Sequence, residues 1–129
     1  MALNVGDQIP ELRVTPDKYL PHRYAGASGD FNPIHIDDEF AKAVGLPRNI
    51  LHGLYSMGLV AKANTAVADG DPRALKRLSV QMRGMGFPEQ EIVVTGTVKS
   101  ADDGRVVIDT VAAQGETAII KNSEAEVQL

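Results

Sequence analysis

Apolar positions change their spacing along this chain, dividing it into a helical half and a strand half. Residues 12–14 predict a short strand after an opening turn at 5–10. Thr15, Pro16 and Asp17 predict a helix start, with Thr15 as cap and Pro16 in the first helical position, where its missing N–H is no loss. That helix is expected to reach residue 24 or 25 and to kink or split at Pro21. Asp37 or Asp38 caps a second, short helix running to about residue 44, with Gly45 as its stop and a loop at 46–49. From 52 to 69 the residues are mostly small and apolar, and Gly53, Gly58, Ala61, Ala63, Ala66 and Ala68 fall on several faces. A helix apolar on most sides is a buried one. Gly70, Asp71 and Pro72 end it.

Beyond that point the period becomes that of strands. Residues 74–83 predict one, with a bulge or kink at Gly84 and Gly86 and a turn at 88–90. Residues 91–100 carry Ile92, Val94, Thr95, Thr97 and Val98, the β-branched types that strands favour. Asp102, Asp103 and Gly104 form a hairpin turn, and strands at 105–113 and 117–127 join across 114–116. Helices followed by an antiparallel meander give an α+β chain with a sheet packed on a central buried helix.

Composition narrows the function classes. A chain of 129 residues, 43% hydrophobic, is expected to form one domain over 1–129 with one core. It has no cysteine, so disulfide and thiolate chemistry are excluded, and a reducing, cytoplasmic location is the expectation. The net charge is −4, and no basic stripe offers a footprint for nucleic acid. A local patch could still meet an acidic carrier, and Arg48, Arg73, Lys76, Arg77 and Arg83 are candidates, although such charges are mostly solvated surface. No basic-then-apolar leader opens the chain, and residues 51–68 are interrupted by His52, Ser56, Lys62, Asn64 and Thr65, so neither a signal peptide nor a membrane span is expected.

The candidate chemistry is concentrated in residues 24–35. Asp30 and His35 stand five residues apart on a stretch expected to be irregular: Asn32 precedes a proline, Pro33 lacks an amide, and Gly26 and Gly29 admit unusual backbone angles. A carboxylate and an imidazole on a rigid segment suit acid–base work. Taken singly, Asp30 reads as a turn carboxylate and His35 as a satisfied, partly buried histidine. Asn32 either orients Asp30 or its own loop, or is simply a pre-proline turn residue. Gly53 falls at the start of the central helix, where backbone amides lack partners and can stabilise an anion. His52 reads as an orienting or structural residue, not a second base. The three histidines, His22, His35 and His52, include no i, i+4 pair, and Asp37 and Asp38 serve better as caps, so no metal site is expected. No Walker or dinucleotide loop is present.

The segment Y-A-x-x-S-G-D-x-N-P-I-H at 24–35, followed by L-H-G-L at 51–54, resembles the MaoC-like (R)-specific enoyl-thioester hydratases and 3-hydroxyacyl dehydratases of the hotdog fold. Within that family it is similar to the catalytic subunit of the mycobacterial-type fatty-acid-synthase-II 3-hydroxyacyl-carrier-protein dehydratase. The resemblance implies a single hotdog domain, an antiparallel sheet wrapped around a long central helix. It implies reversible addition of water across a trans-2-enoyl thioester, giving an (R)-3-hydroxyacyl thioester on coenzyme A or acyl carrier protein, with no metal or redox cofactor. Asp30 and His35 then become an acid–base pair sharing one water, and considered jointly with the resemblance their catalytic reading overtakes the structural ones. Gly53 would bind the thioester carbonyl through its amide, and Asn32 would contact substrate. The expected partner is a second hotdog subunit, identical or homologous. Two departures stand out: Ala61 occupies the place where some relatives carry a helix serine (Ser56, one turn into the helix, reads as a hydroxyl bonding backward), and Pro21 interrupts a helix usually unbroken. The same fold also admits an acyl-thioesterase, and a non-catalytic acyl-binding partner subunit is the alternative from another class.

Overall fold

The computed structural model describes residues 3–129. Strand β1 is Leu12–Val14. The chain does not turn helical at Thr15. Pro16 is fully buried, and its carbonyl accepts the Glu89 amide at 2.6 Å, which holds this stretch extended. Helix α1, Leu20–Ser28, begins later, and Pro21 lies in its first two positions. The expected kink is therefore absent: a proline at a helix start gives up only an amide that would have had no partner. The expected irregular character of residues 24–28 is also corrected, since α1 continues through them. Gly29 ends it in the left-handed conformation (φ 81°), its amide closing on Ala25 at 2.8 Å.

Two short helices follow. Asn32 is extended (φ −54°, ψ 125°), as a pre-proline residue should be, and its side chain caps α2, Pro33–Ile36, by accepting the Ile34 amide at 3.1 Å. Asp37 caps α3, Asp38–Ala43, through the Phe40 amide at 3.1 Å. The central helix α4 is Gly53–Thr65, extended by a 3-10 turn at Ala66–Ala68 and stopped by left-handed Asp69 and Gly70.

Strands β2 (Leu75–Met82), β3 (Ile92–Asp102), β4 (Arg105–Gln114) and β5 (Thr117–Gln128) complete a five-stranded antiparallel sheet in the order β1-β3-β4-β5-β2. β3, β4 and β5 form the expected meander through two-residue turns at 103–104 and 115–116. β2 does not continue it and pairs instead with β5 at the far edge. Residues 83–91 are too heavily tied elsewhere to form a hairpin: the Leu51 amide bonds to Gly86 at 2.8 Å, and the Gln114 side chain holds both polar groups of the Phe87 backbone.

The sheet curves around α4, which is the hotdog arrangement. Its inner face contributes Ile92, Val94, Val98, Ile108, Ile120 and Val127, all fully buried, against Leu59, Val60 and Ala63 of the helix. Burial of each larger side chain contributes roughly 1.5–3 kcal/mol. This packing fixes α4 and thereby the position of its first residue. Among the described residues, no helix is long and apolar enough to cross a membrane.

Candidate active site

Gly29 turns the chain out of α1 into a four-residue loop, and Asp30 projects from it. The Asp30 amide donates to Ser28 Oγ at 3.2 Å, and one carboxylate oxygen, Oδ1, accepts the Asn32 amide at 3.2 Å. The other oxygen, Oδ2, faces His35 Nε2 at 3.8 Å. The Asp30 side chain is about half exposed (53%), whereas that of His35 is 10% exposed. The imidazole is thus fixed in the protein and the carboxylate stands at its open side. Asp30 and His35 meet because the chain turns at the Asn32-Pro33 corner and His35 is the third residue of α2.

The state of the His35 ring follows from its other nitrogen. Nδ1 lies 2.9 Å from the Ile50 carbonyl, which can only accept, so Nδ1 carries the proton. In the neutral ring Nε2 then presents a lone pair toward Asp30. A separation of 3.8 Å is too long for a direct hydrogen bond. The gap has the size that one water, about 2.8 Å from each atom, would bridge. A water there would have two acceptors for its protons.

Two residues hold this pair in place. Asn49 is buried; its Nδ2 donates to the His35 carbonyl at 2.9 Å, while its own amide donates to Asp38 Oδ1 at 3.0 Å. Lys42 and then the Asn49 amide hold the Asp38 carboxyl below the usual carboxylate range. Asn49 is absent from the sequence-based candidates because an asparagine in the 46–49 loop carries no local sign of its partner 14 residues earlier. His52 is the second. Its Nε2 donates to the Asp30 carbonyl at 3.0 Å, and its ring stacks on His35 at 3.9 Å with the planes 22° apart. Tyr24 lies against its other side at 4.7 Å, with Tyr55 beyond. The orienting reading of His52 therefore has a geometry: it touches both members of the pair. Its Nδ1 is buried with no hydrogen-bond partner.

Asp30, His35 and His52 bring three potential metal ligands within 4.8 Å of one another. The donor set does not suit a cation. Lone pairs of an imidazole lie in the ring plane, and two rings stacked nearly parallel direct them side by side instead of toward one point. His52 Nε2 is moreover engaged with a carbonyl.

Gly53 opens α4 with His52 in extended backbone before it (φ −64°, ψ 136°). Its amide is one of the first-turn donors that have no acceptor within the helix, and it sits at the positive end of the helix dipole. A cleft of about 390 Å³ joins this helix start to the carboxylate, lined by Tyr24, Ser28, Asp30, His52, Gly53, Leu54 and Met82. The structure thus places Asp30 and Gly53 in one cavity, with His35 behind Asp30. Asn32, expected to contact substrate, is not among the residues lining this cleft; it is exposed and its side-chain oxygen caps α2. Ser56 is buried one turn into the helix. A somewhat larger depression of about 430 Å³ lies on the outer sheet face, where Lys99 pairs with Glu124 at 2.5 Å and Arg77 with Glu126 at 3.7 Å.

Residues 5–119 match the family described as MaoC like domain. The chain is 43% identical over 86 residues to peroxisomal enoyl-CoA hydratase 2 of Arabidopsis thaliana, covering 66% of this chain and 27% of that protein. It is 36% identical over 112 residues to enoyl-CoA hydratase ChsH3 of Mycobacterium tuberculosis, covering 83% of this chain and 37% of that protein. The chain therefore spans well under half the length of these curated relatives. Among solved structures, a MaoC-like dehydratase superposes with a TM-score of 0.92 at 32% identity, covering 98% of this chain and 41% of that one.

Proposed function

This chain belongs to the MaoC-like domain family, and from that premise we propose that it is a hydro-lyase interconverting trans-2-enoyl and (R)-3-hydroxyacyl thioesters. The observation that carries the proposal is the facing of Asp30 Oδ2 and His35 Nε2 across a gap sized for one water, in reach of a cleft that also holds the free helix start at Gly53. The relatives named enoyl-CoA hydratase support the choice of substrate class.

In the hydration direction the thioester oxygen accepts the Gly53 amide, and the helix dipole stabilises the negative charge that grows there. The bridging water loses a proton to the pair as its oxygen bonds to C3. The C2–C3 π electrons move toward C2 and the thioester oxygen. The pair then delivers a proton to C2 on the same face and returns to its starting state. Dehydration reverses each step: the pair removes the C2 proton, the C3–O bond breaks, and the leaving hydroxyl departs as water. Asn49 and His52 keep the two groups in register throughout.

We also propose that the unit works beside a second hotdog subunit, identical or homologous. Leu54 and Met82, 62% and 51% exposed, flank the cleft, and β2 is a free sheet edge next to it. The test is to incubate purified protein with crotonyl-CoA and follow both loss of enoyl absorbance and release of thiol. Formation of (R)-3-hydroxybutyryl-CoA without thiol release is the expected result. Thiol release would indicate a thioesterase. Binding without turnover, alone and with hotdog partners, would indicate an acyl-binding subunit.

A further inference from the structure

Met82 is the last residue of β2, and its side chain reaches across to the start of α4. A Cβ built on residue 53 would lie 2.6 Å from Met82 Sδ and 3.3 Å from its Cε. Real Cβ atoms do not approach so closely, so the absence of a side chain at Gly53 is what lets the thioether lie there. Met82 lines the same cleft as Asp30 and Gly53, yet half of it remains exposed. Its backbone is anchored by pairing with Ile120. The residue therefore combines a fixed root with an adaptable end, set against the amide proposed to bind the carbonyl.

We propose that Met82 is a specificity-determining residue that limits bulk on the acyl carbon next to the thioester carbonyl. The inference rests on the hydratase reading above. A carbonyl oxygen accepting the Gly53 amide brings C1 to within about 4 Å of that nitrogen, and C2 lies one bond further. Sδ and Cε of Met82 already occupy the space over Gly53 Cα, so a substituent on C2 competes with them. The unbranched, polarisable thioether shapes itself to a flat, unsubstituted enoyl group. A methyl on C2 requires it to be displaced. Discrimination of one methyl by an apolar wall is worth roughly 10–200-fold in kcat/KM.

The experiment compares crotonyl-CoA with 2-methylcrotonyl-CoA for the full chain and for Met82→Ala and Met82→Val, with circular dichroism and thermal melting to verify folding. Valine suits a strand and, like alanine, lacks the reach to Gly53. The wild type should favour the unbranched thioester. Either variant should raise the branched-to-unbranched ratio of kcat/KM by at least about tenfold. A ratio within about twofold of wild type in a folded variant would overturn the assignment of Met82 while leaving the hydratase reading intact. A wild type that turns over neither thioester would overturn both.

Discussion

Replacing His52 by phenylalanine should separate positioning from stability, because the structure ties a large loss to the first and little or no loss to the second. His52 Nε2 donates to the Asp30 carbonyl at 3.0 Å, and that hydrogen bond contributes about 0.5–1.5 kcal/mol net. Its Nδ1 is a buried acceptor without a partner, a burden of about 1–3 kcal/mol that a phenyl ring removes. Phenylalanine retains an aromatic face for the stack with His35 and Tyr24. Taking the extremes together, His52→Phe should range from about 0.5 kcal/mol less stable to about 2.5 kcal/mol more stable than wild type. Activity should fall throughout that range. Asp30 loses the anchor on its carbonyl, and a displacement of the loop by about 1 Å lowers turnover on the order of a hundredfold. Urea unfolding measures the first quantity and steady-state loss of enoyl absorbance the second. Turnover within about twofold of wild type would refute the positioning role. A stability loss clearly beyond about 0.5 kcal/mol would refute the statement that Nδ1 goes unpaired at a cost.

Two further outcomes follow from the support behind His35. Asn49→Ala leaves the His35 carbonyl without its donor, so unfolding by urea should show a loss of about 1–3 kcal/mol, accompanied by a fall in kcat larger than any rise in KM. Asp38 has a folded pKa below its unfolded value, so its stabilising contribution is complete above the ordinary value of 3.8 and is lost as pH falls from there through the folded value. Asp38→Asn should therefore be less stable than wild type at about pH 7 and should show a flatter acid limb below about pH 4 in a series of thermal melts.

The proximity of Asp30 and His35 was legible because it is local, while their catalytic reading came from the family resemblance. Asp30 and His35 are separated by one loop and one helical turn, and the Asn32-Pro33 corner that defines the turn is written in consecutive residues. Gly53 was legible as a helix start because small apolar residues begin there. What lies against it was not, since Met82 approaches from a strand 29 positions later in the chain. Asn49 and His52 act through the carbonyls of His35 and Asp30, and a backbone carbonyl leaves no trace in residue identity. Pro21 was read as a breaker because the helix was expected to begin at Thr15. Burial of Pro16 delays that start, and at the new start the same proline is an initiator. The order of the sheet was hidden for a similar reason: β2 has the composition of a meander strand, and only the tethering of residues 83–91 by Leu51 and Gln114 sends it to the far edge.

The central claim is that Asp30 and His35 act on one shared water, and Asp30→Asn tests it most directly. Asp30 is half exposed, and a substitution of the same shape there should change stability by no more than about 0.5 kcal/mol. Hydration of crotonyl-CoA by this variant, measured beside wild type at equal folded concentration, should fall by at least about a hundredfold in kcat. A folded Asp30→Asn protein with near-normal kcat would contradict the account.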